Sequence, residues 1–246
     1  MWRWRYSLRK ALPHLTEAAV FVGAYLLYNG IRPLVEGAEP VAVENAFRLI
    51  ELERSLGIFH EETLQRAADG NAWFATSMEW FYLQAYHPLM VAGAVLVYLR
   101  DRPLYVRYRN SVLLAMAIGL VIFTVFPVAP PRLIPEAGFV EVIHAPDDLT
   151  SAVKNDFAAV PSYHFGFVLL VSVGVAHAYR LRWWGAALLL LSPALMFVAI
   201  VATANHFFVD AIAGGAIVLA CAWWFVWREP AVARDDRAGT LAAEPG

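Results

Sequence analysis

A histidine and an aspartate four residues apart carry the first chemical signal in this chain, in Asn205-His206-Phe207-Phe208-Val209-Asp210. On a helix that spacing puts both side chains on one face. A carboxylate beside an imidazole fixes its tautomer and stabilises the imidazolium, making the other ring nitrogen a better base or nucleophile. Taken alone, the pair could equally be a tether between helices. A second group, Val160-Pro161-Ser162-Tyr163-His164-Phe165-Gly166, has the form of a helix start. Proline suits the first helical position, and a helix N-terminus presents free N–H groups and a positive dipole end to an anion. Ser162 adds a hydroxyl there and His164 a titratable ring. A third group, Ala129-Pro130-Pro131-Arg132, offers a guanidinium that can grip phosphate oxygens in pairs, on a proline-stiffened approach. Lys154 is a further cation nearby, although a solvated loop lysine is the simpler reading. The chemistry these residues suit is phosphoryl transfer.

The elements that must position them lie in a membrane. Of 246 residues, 60% are hydrophobic and only 16% charged, with a mean hydropathy of +0.53. A soluble domain is about a quarter charged. The apolar residues fall in blocks near the ~20 residues that cross a bilayer as a helix. Six spans are expected, at about 16–34, 75–99, 110–126, 162–179, 184–203 and 207–227. The first is read as a retained span and not a secretory signal, because Glu17 interrupts it and no small-x-small site follows. Arg3, Arg5, Arg9 and Lys10, then Arg100, Arg102, Arg107 and Arg109, then Arg180 and Arg182, and finally Arg228 fall on one side. The intervening loops are acidic, so both termini are expected in the cytoplasm. Spans four and six then run outside to inside. Ser162, His164, His206, Asp210 and Arg132 meet at the extracytoplasmic face, and Arg109 lies at the other end. The expectation is an all-α, polytopic six-transmembrane-helix bundle in the cell membrane, one domain over 1–228, with an extracytoplasmic active site.

Other features are less specific. Span two carries Glu79, Tyr82, Gln84, Tyr86 and His87; Tyr82, Glu79 and His87 could meet a headgroup, but an interhelical hydrogen-bond network is the more expected reading. Phe47, Leu49, Leu52, Leu56 and Phe59 recur at near-helical spacing, which suggests an amphipathic helix over about 41–59 in the interface, or a helix capping the bundle. Gly214 and Gly215 suit close helix packing. Cys221 stands alone, which excludes an intrachain disulfide. The tail at 229–246 reads as a disordered cytoplasmic segment. Nucleic acid is not an expected partner. A proton-coupled transporter or flippase using His206 and Asp210 is the competing reading, but it requires polar residues continuing to the inner face.

With these motifs assembled, the chain resembles the type 2 phosphatidic acid phosphatase superfamily, which includes the vanadium haloperoxidases. The likeness rests on Pro161, Ser162 and His164 and on His206 and Asp210, over about residues 75–220. Ala129 to Arg132 and the Asn205–His206 pair bring it nearest to inositol phosphorylceramide synthases and related bacterial membrane proteins. The resemblance implies that His206 forms a phosphohistidine, oriented by Asp210, while His164 protonates the leaving oxygen. Ser162, Tyr163, Arg132, Lys154 and Asn205 are the candidate phosphate contacts, and no metal or other cofactor is implied. The donor would be a membrane phospholipid or prenyl phosphate, and the acceptor water or a polyol such as inositol. The chain departs from the pattern in three places. Ile200 stands where an arginine is expected six residues before the histidine, Tyr163 replaces a glycine, and the Lys-x6-Arg-Pro element is absent, leaving Arg132 as the residue that could replace its arginine.

Overall fold

A computed structural model describes residues 2–139 and 155–228, with side chains from residue 11 onward. Lys154 and the tail at 229–246 lie outside the described residues. The architecture is all-helical. Helix α1 (Trp2–Ile31) ends in a single 3-10 turn (Arg32–Val35). Two shorter helices follow, α2 (Glu39–Ser55) and α3 (Glu61–Asp69). A long span consists of α4 (Ala72–Trp80), a π turn (Phe81–Ala85) and α5 (Tyr86–Arg100). Then come α6 (Arg102–Val125), α7 (Tyr163–Ala178), α8 (Trp183–Leu189) with α9 (Leu191–Ala202), and α10 (Phe208–Ala222) with a terminal π turn.

Among the described residues, five helical stretches are long and apolar enough to cross a bilayer: Ala11–Val35, Ala72–Arg100, Arg102–Val125, Trp183–Ala202 and Phe208–Trp227. The sixth expected span, α7, has 16 residues, about 24 Å at ~1.5 Å per residue. It is the central helix, packed against α5, α9 and α10. Glycines allow that closeness: a Cβ on Gly166 would meet the Gly214 carbonyl oxygen at 2.8 Å, and one on Gly214 would meet the Ser162 carbonyl oxygen at 2.1 Å. Helix α1 is peripheral, with Leu12, Leu15, Val22, Leu26 and Leu27 facing outward. Its interrupting Glu17 pairs with Arg109 of α6, an ion pair largely screened from solvent.

Helix α6 begins at Arg102, earlier than the apolar run suggests. The Asp101 carboxylate caps it by accepting from the Leu104 N–H at 2.9 Å, so the charged turn bearing Arg107 and Arg109 is helical too. The expected amphipathic helix at 41–59 proves to be α2, ending at Ser55. Its buried face is Ala42, Asn45, Ala46, Leu49, Ile50 and Glu53; of the stripe read from the sequence only Leu49 falls on it, while Phe47, Leu52 and Leu56 are exposed. The buried face packs on Val128, Ala129, Ala159, Val160 and Phe207, so α2 covers the ends of the helices that carry the chemical motifs.

Candidate active site

After α9 the chain reverses in a tight turn, with Ala204 at φ 55°. The Ile200 carbonyl accepts from the N–H groups of both Asn205 (3.0 Å) and His206 (3.1 Å). His206 therefore sits ahead of α10, with Phe207 at the cap, and not on the helix itself. The contact expected from the spacing forms even so: His206 Nδ1 is 3.2 Å from Asp210 Oδ2 and 2.8 Å from the Ala159 carbonyl oxygen. A carbonyl can only accept, so Nδ1 carries the proton and Nε2 keeps the lone pair. Asp210 is fully buried. Its Oδ2 also accepts from the Phe207 N–H at 2.8 Å, and its Oδ1 has no partner.

The start of α7 lies directly against this pair. Ser162 is its N-cap residue, and the Ser162 N–H donates to the Asp210 carbonyl at 2.9 Å. Its Oγ is buried and unpartnered. Pro161 follows a cis bond and precedes the cap, so it does not occupy the first helical position expected from the sequence. His164 brings its ring to 6.1 Å from that of His206, centroid to centroid. Tyr82 and Tyr86 form a wall beside it, 4.4 and 4.5 Å from its ring. Because the two tyrosines are four residues apart around the π turn, both face the same way.

Several other expected contacts are placed differently. The Tyr163 side chain turns away from the site: its ring stacks on Phe167 at 4.7 Å, fills the space left by Gly119, and donates its hydroxyl to the Ala115 carbonyl. Tyr163 can therefore offer a phosphate only its backbone N–H. The Asn205 amide donates to the carbonyl and hydroxyl of Thr203 (3.2 and 2.9 Å), closing the turn that carries His206. His87 packs on Tyr86 and Tyr25, and Glu79 is half-buried on α4. Ile200 is fully buried among Val168, Met196 and Ala211, in the apolar core.

Arg132 does reach the site region. Its backbone N–H donates to the Ala204 carbonyl at 2.8 Å, beside His206. Its side chain is 8% exposed, with Nη2 3.2 Å from Asp156 Oδ1. Nη1 is buried with no acceptor.

Two residues that the motifs did not suggest hold the start of α10. The Phe208 N–H donates to Glu61 Oε1 at 2.9 Å, and the Val209 N–H to Glu53 Oε1 at 2.7 Å. Both glutamates are essentially inaccessible to solvent. Burial pushes the Glu53 carboxyl up to about 9, helped by a hydrogen bond to Glu61 and the negative charges of Glu61 and Asp210, against the pull of the Val209 N–H. Two ionised carboxylates have no proton to share, and Glu53, whose value is raised, is the one of the pair that keeps a proton at neutral pH. The available signal was the position of Glu53 on the same helical face as Ala42, Ala46 and Leu49.

The assembled site has an imidazole with its lone pair directed by two fixed acceptors, a second imidazole close by, and buried donors that lack acceptors. Among the described residues, no three His, Cys, Asp or Glu side chains gather where they could hold a metal ion. The family model of the PAP2 superfamily matches residues 48–224. A curated relative, the phosphoinositol dihydroceramide synthase of Bacteroides thetaiotaomicron, is 25% identical over 152 residues, covering 54% of this chain and 50% of the relative. The chain thus spans about half the length of that relative. No solved structure matches.

Proposed function

The chain belongs to the PAP2 superfamily, and on that premise we propose that it takes a phosphoryl group or phospho-headgroup from a membrane lipid through a covalent intermediate on His206. The observation that carries this reading is the commitment of His206 Nδ1 to the Ala159 carbonyl and Asp210. That arrangement leaves Nε2 free to attack phosphorus while Asp210 stabilises the cation that forms.

In the first step Nε2 forms the P–N bond as the P–O bond to the leaving group breaks, and His164 donates a proton to the departing oxygen. In the second, an acceptor hydroxyl gives its proton to His164 as its oxygen attacks phosphorus and the P–N bond breaks. Water as acceptor gives hydrolysis; an alcohol gives transfer. Arg132 Nη1 and Ser162 Oγ, both buried donors without acceptors, hold the phosphoryl oxygens, joined by the free N–H groups at the start of α7. We place this chemistry at the extracytoplasmic face, with both termini inside, on the distribution of Arg and Lys between loops.

The relative's name concerns a phosphoinositol-bearing lipid, which favours transfer involving a polyol over simple hydrolysis. The test uses purified protein in detergent with phospholipids and prenyl phosphates, with and without inositol, following product lipids and free phosphate. His206→Ala is expected to lose turnover by at least about 10³-fold, and orthovanadate to inhibit the wild type. A mutant that matched wild type in every reaction would rule out the covalent route.

A further inference from the structure

The two imidazoles of the site are held by different means. Hydrogen bonds from Nδ1 to the Ala159 carbonyl and Asp210 fix His206. Among the described residues, no hydrogen bond reaches His164. It is half-buried, and its ring nitrogens stay open to water or substrate. What touches its ring is aromatic. The Tyr82 ring lies 4.4 Å away with a tilt of 43°, and the Tyr86 ring 4.5 Å away with a tilt of 48°. Such centroid distances are at the close end of aromatic contact.

The two tyrosines are themselves well placed to hold something. Tyr82 lies within the π turn Phe81–Ala85 and Tyr86 directly follows it. Turns of this kind are rare and concentrate at functional sites. Both rings pack on the apolar core of Val168, Met196, Ile200 and Ala211. The Tyr86 ring meets His87 edge-on at 4.9 Å, and His87 in turn meets Tyr25 of α1 at 6.4 Å. A row of rings therefore backs His164 from the α1 side. Among the described residues, neither tyrosine hydroxyl has a hydrogen-bond partner. The contact with His164 is made by the rings.

We propose that Tyr82 and Tyr86 form an aromatic cradle that positions His164 for proton transfer to and from the oxygens exchanged at phosphorus. This rests on the reading of His206 as nucleophile and His164 as acid. In the first step the P–N bond forms, the P–O bond breaks, and a proton passes from a His164 nitrogen to the departing oxygen. In the second that nitrogen takes a proton from the acceptor hydroxyl. The imidazole therefore alternates between charged and neutral forms. A hydrogen-bond acceptor at one nitrogen would occupy it in both forms. Ring faces instead hold the plane of the imidazole and leave both nitrogens free, and their negative quadrupole attracts the charged form. Orientation matters because a misplacement of about 1 Å can cost about 10²-fold in rate. Tyr82 and Tyr86 are thus positioning residues, acting through His164.

The test measures leaving-group release in a single turnover of purified full-length protein. It uses two substrates: a lipid phosphate that the wild type turns over, and an ester of the same phosphate with 4-nitrophenol, which departs without needing a proton. Tyr82→Leu and Tyr86→Leu are each expected to slow release of the lipid alcohol by about 10²-fold. On the nitrophenyl ester both should stay within about threefold of wild type. His164→Ala should show the same split, and His206→Ala should be inactive on both substrates. Tyr82→Phe and Tyr86→Phe keep the rings and should match wild type throughout. Equal losses on both substrates in the leucine variants, with the split kept in His164→Ala, would overturn the cradle and leave the acid and the nucleophile standing. Phenylalanine variants as slow as the leucine ones would assign the effect to the hydroxyls and overturn it too. Equal losses in His164→Ala would remove the acid and the cradle with it; full turnover by His206→Ala would overturn the mechanism itself. Should a leucine variant fail to fold, the other position decides. Should the wild type refuse the nitrophenyl ester, the lipid alone decides: release kept by Phe and lost by Leu at unchanged unfolding temperature supports the cradle, and equal release by both refutes it.

Discussion

The starts of α7 and α10 lie against each other, joined by the hydrogen bond from the Ser162 N–H to the Asp210 carbonyl, yet they are finished in opposite ways. At α10 the N–H groups of Phe207, Phe208 and Val209 are each taken by a buried carboxyl group, from Asp210, Glu61 and Glu53. At α7 the Ser162 side chain makes no capping bond, and its Oγ is buried without a partner. The first helix start is filled with carboxyl acceptors by the protein itself; the second keeps its donors for something else. Both ends carry the partial positive charge of a helix N-terminus. The lesson is a division of labour. The saturated end holds the histidine rigidly, and the open end, with Arg132 nearby, is where an anion can still gain by binding.

That contrast predicts two kinds of mutational effect. The largest is expected at the join between the ends. Asp210→Asn keeps a carbonyl oxygen for the Phe207 N–H but loses the charge that stabilises a protonated or phosphorylated His206, so kcat should fall on the order of 10³-fold, read by lipid turnover. Ser162→Ala comes next, with a loss on the order of 10²-fold in kcat/KM and no change in unfolding temperature, since Oγ supports nothing in the resting fold. Glu53→Ala should do the reverse. It strands the buried Val209 N–H and costs about 1–3 kcal/mol of stability, measured by thermal unfolding in detergent. If Ser162→Ala destabilised the protein while Glu53→Ala did not, the two ends would not differ as described.

The parts of the site that were legible in the sequence are those whose residues lie close together in it. His206 and Asp210 fall within one helical turn, so their contact survives even though His206 sits ahead of the helix. Ser162 and His164 share a helix start, and Arg132 follows its span directly. What could not be read depends on tertiary approach. Tyr163 sits in the motif, but its side chain is drawn to the space over Gly119, on the preceding helix α6. Glu53 and Glu61 lie in the acidic stretch between the first two spans, where charge reads as a marker of sidedness and not as a buried cap. The all-helical fold was plain from apolar block length. The boundaries moved where a cap extended a helix into its charged turn, as Asp101 does for α6.

The smallest expected effect probes the saturated end without dismantling it. Glu53 keeps its proton in the folded protein up to about pH 9, whereas an exposed glutamate loses it near pH 4.3. Between those values the folded state binds more protons at this position than the unfolded state, so stability falls as pH rises. The contribution is present in full below the unfolded value and is gone above the folded one. Glu53→Gln fixes a neutral side chain of nearly the same shape that still accepts from the Val209 N–H. Its kcat should remain within about threefold of wild type, a change of under 1 kcal/mol. Its unfolding temperature should decline less steeply than that of wild type from pH 5 to pH 9. An identical slope in both proteins would mean that the proton between Glu53 and Glu61 does not contribute to holding α10, leaving the cap to its backbone hydrogen bonds alone.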